Sequence, residues 1–262
     1  EDHSSRYWRI ILGPWLSIFI GVIYDRYLSI HSVINSKQAT HTWIPPLSSE
    51  RWVFGDSITF LSKAYKDINF NLYLYSQIIT KLGKIPFEFK NDQAFSDLQG
   101  QAETKPLSVS ANIEIKIKSL IGKISKRIPD RFNQIVFSSS GLSFGNQLKL
   151  QLSLGQIPYL VSPDLASSIT PIEIDRRKNL KLPQGTNEFE FLLNDLMLEQ
   201  FPTSFLEGYS EMRNKSLDAF PKNPKVIFTS YDFAYNDGFK FWTATQIERG
   251  VKLVLRQHGG GY

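Results

Sequence analysis

Three places in the chain carry residue types able to do chemistry. The first is Gln257-His258-Gly259-Gly260-Gly261-Tyr262, directly after the apolar, strand-like run Val251 to Leu255. Glycine lets the backbone approach a ligand and turn its N–H groups toward an anion. His258 can carry a proton or polarise a leaving group, so it is a candidate catalytic residue, with Gly259, Gly260 and Gly261 as candidate ligand-binding positions. A tight turn after a strand needs glycines too, and that plainer reading stays open. The second place is the loop Ser230 to Asp237, with two carboxylates. Asp237 suits the N-cap of the helix that follows; Asp232 has no such duty and is the freer base or nucleophile. The third is His3-Ser4-Ser5-Arg6-Tyr7-Trp8-Arg9. Arg6 and Arg9 share a helix face, joined by His3 if the helix begins early, and guanidinium forks fit carboxylate and phosphate. A solvated basic edge with Trp8 in the core is the competing account.

Composition narrows the chemistry. At 262 residues and 42% hydrophobic content the chain can build one large domain or two smaller ones. Cysteine is absent, which excludes disulfides, thiolate metal sites and a cysteine nucleophile. The four histidines (His3, His31, His41, His258) show no metal-ligand spacing, so no metal is expected. A net charge of +5 and a pI of 9.2 suit an anionic partner: nucleotide, phosphate, acidic glycan or membrane surface. The 19 Phe, 11 Tyr and 5 Trp fill a core or supply stacking platforms for sugars or bases. No Lys-Ser/Thr follows the glycines and no G-x-G-x-x-G occurs, so neither phosphate-binding fingerprint is present.

These residues need elements to hold them. The charge-free run Ile10 to Tyr24 is short of the about 20 residues of a spanning helix, which favours a buried or interfacial one. Ser4 and Ser5 can cap a first helix; Gly13-Pro14 should end it and seed a second, running to about Ile34. Thr40 to Ile44 reads as extended. Asp56 or Ser57 can cap a helix through Ala64, and Phe70 to Leu82 reads as another, stopped by Gly83. Residues 84–111 look like a loop or linker. Ile113 to Ile124 is read as helix. From Gln134 the texture is α/β. Ile135 to Phe137 is a strand-like run into Ser138-Ser139-Ser140-Gly141, followed by a helix from Asn146 to Leu154 and a strand at Ile157 to Val161. Asn187 with Glu190 makes a capping box for a helix to Leu198, and Pro202-Thr203 restarts a helix toward Ala219. Val226 to Thr229, a helix Gly238 to Arg249, a stop at Gly250 and Val251 to Leu255 form one β-α-β unit with parallel strands. Ligands of such sheets bind at the carboxyl ends of the strands, where the 230–237 loop and the His258 loop lie.

The block His3 to Leu16 resembles the opening block of the surface-carbohydrate transferases of bacterial O-antigen and capsule gene clusters. Asn236 to Trp242 and Gln257 to Tyr262 resemble two later blocks of that family, in the same order. The resemblance implies an α/β, GT-B-type glycosyltransferase, with Rossmann-like domains around a cleft. Residues 1–105 would be a helix-rich acceptor-side region and 106–262 a Rossmann-like region ending at the cleft loop. It implies catalytic roles for His258, Asp232 and Asp237, donor binding by Gly259, Gly260 and Gly261, and acceptor binding by His3, Arg6 and Arg9. The co-substrate would be a nucleotide sugar with no further cofactor, and the acceptor a glycan or lipid-linked glycan. Nucleic acid is not an expected partner. A more distant similarity to bacterial Kdo transferases brings in a cytidine-linked acidic sugar. Work on the cytoplasmic side, with peripheral contact to the inner membrane, is the matching location. Because the chain opens on Glu1 and ends on its ligand loop, it is expected to be a fragment lacking most of the second domain.

Two other readings stay open. A polyol-phosphate transferase of the same pathway would use the same anion loop without sugar-ring contacts. A non-catalytic membrane-associated assembly module would use Ile10 to Tyr24 for docking and His258 in a structural turn.

Overall fold

The computed structural model describes residues 2–45, 49–90, 129, 132–158, 165 and 170–257. Their elements in chain order are α1 (Ser5–Ser36), β1 (Thr42–Ile44), α2 (Ser57–Lys66), α3 (Ile68–Leu82), β2 (Phe87–Phe89), β3 (Ile135–Ser138), α4 (Phe144–Ser153), α5 (Ile174–Lys178), α6 (Glu188–Gln200), α7 (Tyr209–Ala219), β4 (Val226–Thr229), α8 (Asp232–Tyr235), α9 (Asp237–Glu248) and β5 (Lys252–Leu255). This is a mixed α/β chain, and every strand pair among the described residues is parallel. The described residues fall into two units. One holds those of 2–14, 129–165 and 210–257, the other those of 15–90 and 170–209.

The first unit is built on a three-stranded sheet in the order β3-β4-β5. Ser138 pairs with Thr229 and Thr229 with Leu255, so the three carboxyl ends are level. The β-branched and aromatic run Val226 to Thr229 suits a buried middle strand, and Ile227 is fully buried with Val136, Phe239 and Trp242 in one core cluster. α9 connects β4 to β5 as the sequence implies, and it is buried from Asp237 through Ile247. A helix buried all round must satisfy its own polar groups. Trp242 Nε1 donates to Pro221 O at 2.8 Å, and Gln246 Nε2 donates to Lys222 O at 3.1 Å. Gly250, at φ +90°, ends the helix before β5.

The second unit is mostly helical, around an aromatic core. Trp15 stacks on Phe19 at 4.9 Å and meets Phe201 edge-on at 5.1 Å; Phe60, Phe70 and Tyr73 are fully buried. Asp56 caps α2 by accepting from Thr59 N at 2.8 Å. Gly83, at φ +62°, stops α3 and donates to Ile79 O at 3.0 Å. Asn187 accepts from Glu190 N at 3.0 Å, while the Glu190 carboxylate reaches back to Thr186 N at 2.7 Å. The capping box is therefore present, closed on the residue before the cap.

Several expectations are corrected. Gly13-Pro14 does not divide the first helix: α1 runs unbroken for 32 residues with Pro14 inside. Proline there removes a backbone hydrogen bond at a cost of about 3 kcal/mol. Tyr7, Ile11, Trp15, Phe19 and Ile23 recur every fourth residue, all buried, and that packing outweighs the lost bond. By length and composition α1 is apolar enough to cross a membrane, with a third of its most apolar window buried. The stretch expected as loop after residue 84 contains β2, whose Phe87 and Phe89 pair with Thr42 and Ile44. The helix expected from Pro202 begins at Tyr209, after a 3-10 turn at Thr203–Phe205. Of the expected strand Ile157 to Val161, residues 157–158 are described and irregular. The expected helix Ile113 to Ile124 lies outside the described residues.

Candidate functional site at the carboxyl ends of the parallel strands

Each strand of the three-stranded sheet delivers polar residues as it ends. β3 closes on Ser138 and continues into Ser139, Ser140 and Gly141 before α4. β4 closes on Thr229 and continues into Ser230, Tyr231 and Asp232, the first residue of α8. β5 is followed by Arg256, whose N–H donates to Thr229 O at 2.9 Å.

Asp232 is the hub. Ser138 Oγ donates to Asp232 Oδ2, and Ser139 Oγ donates to Oδ1 at 2.7 Å. The Asp232 N–H donates to Thr229 Oγ1 at 3.1 Å, which fixes the turn. Asp232 is buried, and among the described residues no Lys, Arg or His is ion-paired to it. A buried carboxylate balanced by hydroxyls alone stays open to accepting a proton or facing a cationic centre.

The turn after β3 is unusual for its residue type. Ser139 has φ +42°, a left-handed conformation that costs a non-glycine residue about 1–3 kcal/mol and clusters at functional sites. Ser139 is half-buried while Ser138 and Ser140 are buried, so it is the exposed member of the trio. Gly141 sits at φ +70°, which suits glycine, and a Cβ there would press on Arg256 Nη1 and Ser230 Oγ, both at 3.3 Å. The loops are laced together, with Ser230 Oγ donating to Ser140 O at 2.8 Å and Arg256 Nη1 to the same oxygen at 3.3 Å. The result is a polar floor with one carboxylate and one exposed guanidinium.

The residues expected at the site fall in different places. Asp232 sits in the cluster. Asp237 lies in the first turn of α9, buried, with its carboxylate 2.7 Å from the buried Lys240 Nζ. The cap is Asn236, whose Oδ1 accepts from Phe239 N at 2.9 Å; the expected cap at Asp237 is corrected to its neighbour. Asn236 takes that place because its backbone is extended and its side chain reaches three residues on, leaving Asp237 to the ion pair. His3 lies at the other end of α9: its Nδ1 meets Glu248 Oε2 at 2.8 Å, and Ser4 N donates to Oε1 at 2.8 Å. The Ser4 N–H, then His3, hold the Glu248 carboxyl below its ordinary range. Arg6 and Arg9 are exposed on the first turns of α1. The length of α9, about 18 Å for its 12 residues, separates this corner from Asp232. His258, Gly259, Gly260 and Gly261 lie outside the described residues. Among the described residues no three His, Asp or Glu side chains gather at metal-ligand distance.

A protein-family model described as "LIC12162 family transferase" matches residues 1–262, the whole chain. The chain belongs to the LIC12162 transferase family. No curated protein and no solved structure matches it. For a transferase, a carboxylate seated where parallel strands end is a natural place to manage a nucleophile's proton. Sequence reasoning singled out Asp232 but missed its partners Ser138 and Ser139 and the nearby Arg256. The available signal was the apolar run Ile135 to Phe137 emptying into three serines and a glycine, the same strand-to-polar-loop pattern that marked the other two strand ends.

Proposed function

We propose that this transferase moves a sugar from a nucleotide-activated donor onto a growing bacterial surface polysaccharide, lipopolysaccharide O-antigen or capsule. The observation that carries the reading is the buried Asp232, held by Ser138 and Ser139 at the carboxyl end of the parallel sheet. The acceptor hydroxyl attacks the anomeric carbon, the bond from that carbon to the donor phosphate breaks, and the hydroxyl proton passes to Asp232. In this reading the first unit is the Rossmann-like domain of a GT-B-type enzyme. His258 with Gly259, Gly260 and Gly261, carried just beyond β5, meets the departing phosphate. His3, Arg6 and Arg9 hold a part of the glycan or lipid-linked acceptor remote from the reacting hydroxyl, and Asp237 steadies α9 beneath the site. Catalysis takes place on the cytoplasmic side of the inner membrane, with α1 as the peripheral contact.

The test is a donor screen. The protein is incubated with lipid-linked glycan acceptors and UDP-, GDP-, dTDP- or CMP-sugars, and nucleotide release is measured. Acceptor-dependent release from one sugar nucleotide is expected. Transfer from CDP-ribitol or CDP-glycerol with every sugar nucleotide inert would replace the reading with polyol-phosphate transfer.

A further inference from the structure

The second unit carries a groove that the chemistry above does not use. Glu188, Phe191, Leu192 and Asp195 lie at spacings of three and four on α6, hence on one face, opposite Lys81 and Leu82 in the last turn of α3. Together they line an open groove of about 400 Å³, within the roughly 300–1,000 Å³ of small-ligand sites. Its lining is half apolar and half charged. Phe191 is 53% exposed, so its ring is open to a ligand.

The charged residues are held differently. Glu188 accepts from His31 Nε2 at 2.8 Å and from Tyr27 OH at 3.2 Å on one oxygen, and pairs with Lys84 on the other. Lys84, then His31, keep the Glu188 carboxyl below its usual range, so it is ionised at neutral pH. Lys81 Nζ donates to Glu199 Oε1 at 2.9 Å. Asp195 is exposed and makes no ion pair among the described residues. The groove thus presents an aromatic face, an apolar floor, an anchored ammonium and two carboxylates, one of them uncommitted.

This set of groups disfavours an anion and offers an aromatic face beside hydrogen-bond acceptors. An anion would meet like charges at Glu188 and Asp195. Glu188 and Lys81 are already paired, with Lys84 and Glu199, which leaves Asp195 as the open hydrogen-bond acceptor beside the Phe191 ring. A neutral ring with an apolar face and a hydroxyl rim avoids that repulsion and uses both the aromatic and the polar lining. Its C–H face can lie on Phe191, its hydroxyls can donate to Asp195 and Glu188, and the Lys81 ammonium can donate to a hydroxyl oxygen.

We propose that this groove is a binding subsite for a neutral sugar residue of a glycan. Its role as an acceptor subsite rests on the glycosyl-transfer reading; its ability to bind a sugar does not.

The experiment is saturation-transfer NMR on the whole chain with chitotetraose, maltotetraose and mannotetraose, no nucleotide being present. At least one is expected to bind with a Kd on the order of 1 mM, a weak affinity of about −4 kcal/mol. Phe191→Ala should weaken that binding about fivefold to tenfold, the size of a lost aromatic contact. Asp195→Ala should also weaken it, and neither change should alter the melting temperature, since both side chains are exposed. Failure of all three oligosaccharides to bind, or equal binding by wild type and both groove variants, overturns the inference. Binding that behaves as described in a protein that turns over no nucleotide sugar sinks the proposed function and leaves the groove standing.

Discussion

Glu207 in the second unit and Asp232 in the first are both buried carboxylates, compensated in opposite ways. Glu207 faces the fork of Arg177, accepting Nε at 2.6 Å and Nη2 at 2.8 Å. The remaining Arg177 nitrogen donates to Leu198 O at 3.2 Å and Glu199 O at 3.4 Å, joining α5, α6 and the turn before α7. That arrangement is closed: opposite charges satisfy each other and no polar atom faces outward. Asp232 has hydroxyls where Glu207 has a guanidinium. Hydroxyls, unlike a guanidinium, bring no opposite charge to the carboxylate. The first arrangement fastens a fold; the second, in the proposed function, holds the carboxylate that receives the acceptor's proton.

Glu207→Ala should have the largest effect on that contrast. It strands the buried Arg177 and should destabilise the protein by about 3–5 kcal/mol, as broken buried pairs do. Chemical denaturation measures this, and a loss under about 1 kcal/mol, the value of an exposed pair, would deny the pair its fastening role.

Ser138→Ala and Ser139→Ala sharpen the other side. Each removes a donor to a buried carboxylate, an interaction worth about 1.5–3 kcal/mol when the partner is charged. Without that donor the carboxylate loses one of the two hydroxyl contacts that hold it in place. Nucleotide-sugar turnover should therefore fall about tenfold or more in each variant, the kinetic equivalent of that interaction. Wild-type turnover in both variants would mean that the serines do not hold Asp232 for catalysis.

Glu248 should give the smallest effect. Its carboxyl is depressed by the Ser4 N–H and His3, so its contribution to stability is present above the ordinary carboxylate range and is lost as pH falls through the depressed value. Glu248→Gln should cost less than about 1 kcal/mol at neutral pH and nothing once the carboxyl is protonated. Melting temperatures across acid pH check this; a difference that persisted when both forms are neutral would assign the effect to packing.

How much was legible in the sequence depended on how local its cause was. The β4-α9-β5 unit could be read because Val226 to Thr229, the helix signal and Gly250 follow one another within thirty residues. Gly83 and Asn187 with Glu190 were legible because caps act across one turn. Pro14 misled because its local cost was outweighed by packing that no local rule contains. The short pairing of Phe87–Phe89 with Thr42–Ile44 was hidden for the same reason. Asp232 stood out as a carboxylate without a structural duty, but Ser138 and Ser139 stand 94 and 93 residues before it. Only the register of β3 on β4 brings them together, and a single sequence does not encode that register visibly. The left-handed backbone of Ser139 was equally silent, since serine rarely advertises it.

The most direct measurement compares Asp232→Asn with wild type in acceptor-dependent nucleotide release, alongside the melting temperature of each. The amide keeps the shape, with its oxygen accepting from one serine and its nitrogen donating to the other hydroxyl, but it cannot serve as a base. Turnover should fall about 10²–10⁴-fold, the usual share of a general base, while the protein stays folded. Wild-type turnover by a folded Asp232→Asn protein would contradict the account.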